Sequence, residues 1–101
     1  MVPRNRRPTD HSVSRLAIHL GSTVRRIRES HGWSQEVLAE RADLNRSYVG
    51  ELERGEAVAS LITLEKLAIA FNISLSHLLT QAERTAQMHS ASGIQLTSIA
   101  C

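Results

Sequence analysis

The sequence predicts an all-α protein with five short helices, and three observations support that fold class. Hydrophobic residues make up 42% of the chain but aromatic residues only 3%, so Leu, Ile, Val and Ala must form the core. Apolar residues recur at helical spacing, with only a short turn around Asp43 between the second and third patterns. A chain of 101 residues is long enough for one domain with a small core.

The first helix is predicted at about residues 13–30. Its apolar stripe consists of Leu16, Leu20, Val24 and Ile27. Gly32 is expected to adopt a left-handed conformation just after the helix and end it. Residues 1–12 contain Pro3, Pro8 and three Arg residues but almost nothing apolar. This composition predicts a disordered basic arm.

Two helices of about residues 35–42 and 46–54 follow, each too short to be stable alone. Isolated helices below about 12–15 residues are marginal in water, so these two must pack on each other and on the rest of the chain. Ser34 and Asn45 are the expected N-caps. Asp43 is expected to form the turn, because Asp tolerates the left-handed region.

Helices four and five are predicted to begin after Ser60 and Ser74, with Asn72 ending helix four. The apolar face of helix four consists of Leu61, Leu64, Leu67, Ala68 and Phe71. The predicted domain therefore covers residues 13–83. Residues 84–101 are mostly small and polar, and this predicts a flexible tail; a disordered end and a weak partner-binding segment are both consistent with it.

The second and third helices have the design of a helix–turn–helix unit. Ala39 is small where the two helices would cross, and Val49 and Leu52 would point inward together. Five residues in the second helix of the unit would then face outward: Arg46, Ser47, Gly50, Glu51 and Arg54.

An outward-facing helix of this kind can read bases in the DNA major groove through its N-terminal residues. Arg46 can donate two hydrogen bonds to guanine, and Asn45 can pair with adenine if it is not fully used as the cap. Ser47 is compatible with several bases. Glu51 can accept a hydrogen bond from cytosine, but a solvated acid paired with a nearby Arg is an equal alternative. Gly50 indicates a close approach, either to the sugar–phosphate wall or to another helix.

The sequence also suggests contacts with the DNA backbone. Ser34 and Gln35 lie at the start of helix two, where free N–H groups and the positive end of the helix dipole favour a phosphate. Arg25 and Arg54 are candidate phosphate partners. The arginines of the arm could reach a groove or remain solvated, and both alternatives are open: Arg4, Arg6 and Arg7.

Charge and reactive residues limit the other functions. The net charge is only +2, although ten of the twelve basic residues lie in residues 1–54. The single cysteine, Cys101, excludes an internal disulfide and fits a reducing cytoplasm. No apolar run approaches the roughly 18 residues of a membrane span. We expect no enzyme activity, metal or cofactor, because the histidines lack ligand or catalytic spacing: His11, His19, His31, His77 and His89.

Residues 20–80 resemble the phage-repressor and Cro-like helix-turn-helix family, also called XRE-type. The similarity lies in LGSTVRRIRESHGWSQEVLAERADLNRSYVGELERG and SLITLEKLAIAFNISLSHLL. It implies a compact lambda-repressor-like five-helix domain that binds operator DNA as a symmetric dimer. Asp43, Asn72 and the loop EAVA depart from the usual pattern. NRSYVGELERG is most similar to small stand-alone regulators such as restriction–modification controller proteins.

The resemblance also implies roles for individual residues. Arg28 and Glu53 would form a structural salt bridge. Ser34, Gln35 and Tyr48 would contact the DNA backbone. The residues that would contact bases are Asn45, Arg46, Ser47, Gly50 and Glu51.

The hypothesis that follows is a transcriptional regulator that binds a pseudo-palindromic site on double-stranded DNA as a homodimer. Leu75, Leu78 and Leu79 are candidate dimer-interface residues, and for Leu75 and Leu78 a core position is the favoured alternative. We expect neither a membrane association nor a small-molecule ligand. The competing hypothesis is an antitoxin-like or adaptor protein that binds another protein through residues 84–101.

Overall fold

The structure is a computed structural model that describes the backbone of residues 6–100 and the side chains of residues 15–88. Within these limits the chain forms five helices and no strand. They are α1 (Arg6–Ser30), α2 (Gln35–Ala42), α3 (Arg46–Glu53), α4 (Leu61–Phe71) and α5 (Leu75–Ala100). The predicted all-α, five-helix fold class is confirmed.

The ends of the short helices are formed by the residues that the sequence indicates. The side chains of Ser34, Asn45 and Ser60 each accept a hydrogen bond from a backbone N–H in the first turn of the following helix. Asp43 (φ 56°) and Asn72 (φ 60°) follow α2 and α4 in the left-handed conformation. Local polar side chains therefore fix where α2, α3 and α4 start and where α2 and α4 stop.

Replacing Asn72 should show how much this left-handed residue contributes. An Asn72→Ala chain should lose about 1 kcal/mol of its free energy of unfolding, because Ala adopts the left-handed region at a cost that Asn partly avoids. Asn72→Gly is the matched control, and it should unfold at the same urea concentration as the original chain or higher. Equal stabilities for the Ala and Gly variants would contradict this prediction.

The core lies where α1, α2, α3, α4 and α5 converge. Six large side chains in it have no exposed surface: Val24, Leu38, Val49, Leu52, Leu67 and Leu78. Ile27 packs against this cluster, as the predicted stripe requires. Leu16 does not follow the prediction, since 51% of its surface is exposed. It lies instead on the rim of an apolar surface groove that Val58, Leu64 and Leu79 also line.

The two outer helices are longer than the sequence indicates. α1 begins at Arg6 rather than near residue 13, and α5 continues to Ala100 rather than ending near residue 83. Pro8 falls in the first turn of α1, where its missing N–H would have no helical partner, so it does not end the helix. The backbone at 6–12 and 84–100 is thus helical. The predicted domain limits stay predictions. Arg4 and Cys101 lie outside the described residues.

The three leucines predicted for a dimer interface have different positions. Leu78 has no exposed surface and belongs to the core cluster, which corrects its assignment to an interface. Leu75 and Leu79 are half-buried. The physical reason is that α5 packs on α1 and α4 through its apolar face, and this packing places Leu78 in the core. A core position, the favoured alternative for Leu78, is the one observed.

In the part of the chain that is described, no single helix is both long and apolar enough to cross a bilayer. Only α4 taken together with Leu75–Met88 meets that requirement, and the two pieces are bent by 100°.

Two glycines let α1 approach the end of α3 closely. A Cβ atom added to Gly21 would overlap the carbonyl oxygen of Leu52 and lie 2.9 Å from that of Glu53. Gly55, the second residue after α3, has φ 76°, and a Cβ there would lie 2.8 Å from Cγ1 of Ile18. The backbone of α1 therefore supports the C-terminal end of α3, and this contact has no room for a side chain at position 21.

Candidate nucleic-acid interface

The N-terminal end of α3 projects a polar surface into solvent. Asn45, Arg46, Ser47 and Glu51 are exposed, while Val49 and Leu52 on the opposite side of the helix are completely buried. Asn45 Oδ1 accepts a hydrogen bond from the N–H of Ser47 at 2.8 Å, so this oxygen is used as the cap. The buried side chains of Val49 and Leu52 hold α3 in the core, with Arg46 and Glu51 on its exposed side.

Gly50 does not share that exposed surface, and its predicted outward position is wrong. It is buried beneath the side chains of Gln35 and Arg54. A Cβ at Gly50 would lie 3.2 Å from Nη1 of Arg54 and 3.7 Å from Oε1 of Gln35. Of the two alternatives for this glycine, the close approach is therefore made by protein side chains. A base contact by Gly50 stays a prediction that would require Gln35 and Arg54 to move.

A buried ion pair joins α1 to the C-terminal end of α3. Arg28 Nε donates to Glu53 Oε2 at 2.7 Å, and Arg28 Nη2 donates to Glu53 Oε1 at 3.1 Å. Arg28 Nη1 donates to the carbonyl oxygen of Trp33 at 2.8 Å. The side chains of Arg28 and Glu53 are only 11% and 3% exposed. Two parallel charge-assisted bonds in a poorly solvated site fix α3 relative to α1.

The pKa of Arg28 shows which effect dominates in this site. The hydrogen bond to Glu53 raises the pKa of Arg28, although burial acts in the opposite direction. The guanidinium already titrates far above neutral pH, so a further rise keeps it charged wherever the fold persists. A raised pKa contributes stability that would be lost only as pH rises through it, and this link therefore does not titrate near neutral pH.

Gln35 extends the same network to α2. Its Nε2 donates to Glu53 Oε1 at 2.9 Å, so the carboxylate of Glu53 binds side chains from both α1 and α2. Ser34 Oγ accepts from the N–H of Val37 at 3.1 Å and remains exposed at the start of α2. The start of α2 is thus linked through Glu53 to both α3 and α1.

The remaining predicted backbone contacts occupy different surroundings. Arg25 Nε bonds to Glu29 at 3.2 Å on the exposed side of α1. Arg54 Nε bonds to Glu56 at 3.1 Å, and both side chains are 57% exposed. Tyr48 is half-buried, and its hydroxyl donates to the carbonyl oxygen of Val58 at 3.4 Å. Each of these side chains has a partner within the chain: Arg25 and Arg54 use Nε for it, and Tyr48 uses its hydroxyl proton.

Comparison with known proteins agrees with this architecture. The helix-turn-helix family profile HTH_3 matches residues 24–78, more than half of the chain. The chain belongs to this helix-turn-helix family. The match includes all of α2, α3 and α4 and the start of α5, and the XRE-type resemblance is confirmed. Transcription regulation through DNA binding is the activity that the names of its relatives indicate.

Individual relatives include control proteins and a transcriptional regulator. The control protein C.SmaI of Serratia marcescens is 45% identical over 62 residues, which cover 61% of this chain and 74% of that protein. The solved structure of the restriction-modification controller protein C.AhdI from Aeromonas hydrophila is 42% identical, covers 61% of this chain and 94% of that one, and has a TM-score of 0.60. The transcriptional regulator SutR of Escherichia coli is 33% identical over 64 residues, 63% of this chain, and the match spans only 36% of SutR.

Within this helix-turn-helix unit, several stabilising contacts have no signal in the sequence. The link from Gln35 to Glu53 joins residues 18 positions apart, and no local pattern indicates it. Lys66 Nζ donates to the carbonyl oxygen of Asp43 at 3.2 Å and so fastens α4 to the turn. Arg41 lies 4.6 Å from the ring centroid of Trp33. These contacts depend on how helices cross, which spacing along the chain does not determine.

Proposed function

We propose that the chain binds a pseudo-palindromic DNA operator as a homodimer, with α3 of each protomer in the major groove. The observation that carries this proposal is the exposed polar N-terminal end of α3 on a helix anchored by a buried ion pair. Arg46 is long enough to bond guanine O6 and N7 together, and Glu51 can accept from cytosine. Rigid placement matters, because base readout needs donors and acceptors at fixed positions.

Contacts to the DNA backbone would fix the position of α3 in the groove. The N-terminus of α2 offers free N–H groups beside Ser34 and Gln35, where a phosphate is favoured. Arg25 and Arg54 are exposed and can reach a backbone once they leave their acidic partners. Such contacts supply affinity and register, whereas the side chains of α3 supply sequence preference.

Selection of duplexes from a random DNA pool tests this function directly. The expected product is a site with two-fold symmetry, whose half-sites lie about 34–36 Å apart, one turn of DNA. Binding should weaken steeply as salt increases, because phosphate contacts release counterions. Recovery of an asymmetric site would contradict the dimer, and recovery of no preferred sequence would contradict base readout by α3.

The outer face of α4 is our proposed location for the dimer interface, in place of Leu78. Three large apolar side chains of this helix are mostly exposed: Leu61 (68%), Ile62 (65%) and Ile69 (72%). On a helix of 11 residues, this is more than the scattered apolar exposure that monomers usually show. A second copy would bury these side chains, and Leu79 and Val58 at the nearby groove would extend the contact.

Charging this face should separate the protomers. An Ile69→Lys chain should sediment as a monomer and bind the selected operator at least about tenfold more weakly, because the two half-sites are no longer linked. Its helix content should stay the same, since Ile69 is exposed. Met88→Lys is the matched control, because Met88 is equally exposed at 70% and lies on α5. Persistence of the dimer in Ile69→Lys would refute this interface.

A further inference from the structure

The end of α3 holds the backbone of an acidic residue, Glu56, close to Arg54. The N–H of Gly55 donates to the carbonyl oxygen of Leu52 at 3.0 Å, and the N–H of Glu56 donates to that of Glu51 at 2.9 Å. Together with the positive φ of Gly55, these bonds form a Schellman motif. The backbone at Glu56 is therefore held by the helix end and does not vary freely with the loop.

The side chains at this helix end depart from the usual pattern. A Schellman motif commonly carries an apolar contact between the positions that Glu51 and Glu56 occupy here. Both residues are exposed acids instead. Glu56 Oε1 lies 3.1 Å from Nε of Arg54, while Nη1 of Arg54 lies over Gly50. The motif thus exchanges an apolar contact for a carboxylate directed at a candidate DNA-binding arginine.

We infer that Glu56 competes with a DNA phosphate for Arg54 and thereby limits the affinity of the chain for DNA of any sequence. This inference rests on the proposed function. A carboxylate and a phosphate offer the guanidinium the same kind of charged oxygen acceptor, so Arg54 must leave Glu56 before it can bond the backbone through Nε. The contact lies at the end of α3 opposite to Asn45 and Arg46, so the competition acts on the phosphate contact and leaves base readout unchanged.

The size of the effect follows from the exposure of the pair. Both side chains are more than half exposed, and such ion pairs are weak. Releasing Arg54 should therefore raise DNA affinity by roughly two- to fivefold rather than by orders of magnitude. It should also make the dependence of affinity on salt steeper, because Arg54 would then neutralise a phosphate fully. The gain should be the same for the operator and for unrelated DNA.

A double-mutant cycle on the full chain tests the inference. Affinities for the selected operator and for a scrambled duplex are measured at several salt concentrations for the original chain, Glu56→Gln, Arg54→Gln and the double variant. Glu83→Gln is the matched control, because it removes one exposed acid from α5. In the original chain, we expect Glu56→Gln to tighten binding to both duplexes. In the Arg54→Gln chain, we expect Glu56→Gln to change the affinity no more than Glu83→Gln does.

Two results would overturn the inference. An equal gain from Glu56→Gln with and without Arg54 would mean that Glu56 only repels DNA through space. No gain at all would mean that its contact with Arg54 does not oppose binding. Failure of the proposed function gives a different result, since the original chain would then bind the operator no better than the scrambled duplex.

Discussion

A Glu53→Ala chain is expected to lose about 3–5 kcal/mol of its free energy of unfolding. The substitution leaves the guanidinium of Arg28 charged and 11% exposed, with only a 3.9 Å contact to Glu29 in place of its two bonds to Glu53. It also removes the acceptor of the Gln35 amide. Small domains are stable by only about 5–15 kcal/mol, so much of the population should unfold well below the urea concentration that unfolds the original chain. Circular dichroism during a urea titration at fixed protein concentration measures the loss.

The matched control for this prediction is Glu29→Ala. Glu29 accepts from Arg25 in a pair that is more than half exposed, and it approaches Nη2 of Arg28 only at 3.9 Å. Its loss should change the free energy of unfolding by no more than about 0.5 kcal/mol. A similar destabilisation by Glu53→Ala and Glu29→Ala would show that burial of the Arg28–Glu53 pair does not determine its contribution.

An Arg46→Ala chain should lose about 1–3 kcal/mol of binding free energy for the selected operator, concentrated at one base pair of each half-site. Arg46 is exposed at the start of α3, so its loss should leave the fold intact. With the guanidinium removed, a substitution at that base pair should no longer weaken binding, because the donor that distinguished it is gone. Competition binding with operators altered at single positions measures both effects.

Arg84→Ala provides the comparison, since Arg84 is also exposed but lies on α5. It should preserve the sequence preference of the chain. If Arg46→Ala instead weakens binding to every duplex by the same factor, Arg46 contacts a phosphate and the reading of bases belongs to other residues of α3.

The sequence predicts best those features that a few neighbouring residues determine. The observed bounds of α2 agree with its prediction, because a capping Ser34 precedes the helix and an Asp43 that tolerates the left-handed region follows it. The same local chemistry holds at Ser60 and Asn72 around α4. The inward positions of Val49 and Leu52 follow from helical spacing together with the need for a common core.

Features set by contacts between distant helices were predicted less well. The sequence favours a core position equally for Leu75 and Leu78, but only Leu78 is fully buried, and Leu75 is half-buried. Gly50 shows a need for close approach, but the sequence does not indicate that Gln35 and Arg54 make that approach. The pairing of Arg28 with Glu53 spans 25 positions and came from family resemblance alone. In each case the deciding information is the crossing of two helices.

The backbone contact at Gly21 has a consequence for how this chain could be altered. Because α1 meets the carbonyl oxygens of Leu52 and Glu53 there, any larger residue would push the C-terminal end of α3 away from α1. The tilt of α3 is thus limited by a residue of α1 that lies against the end of α3 and not on its exposed face. If a substitution at Gly21 changed the operator preference, the cause would be this altered tilt, because the side chains on the exposed face of α3 would be the same.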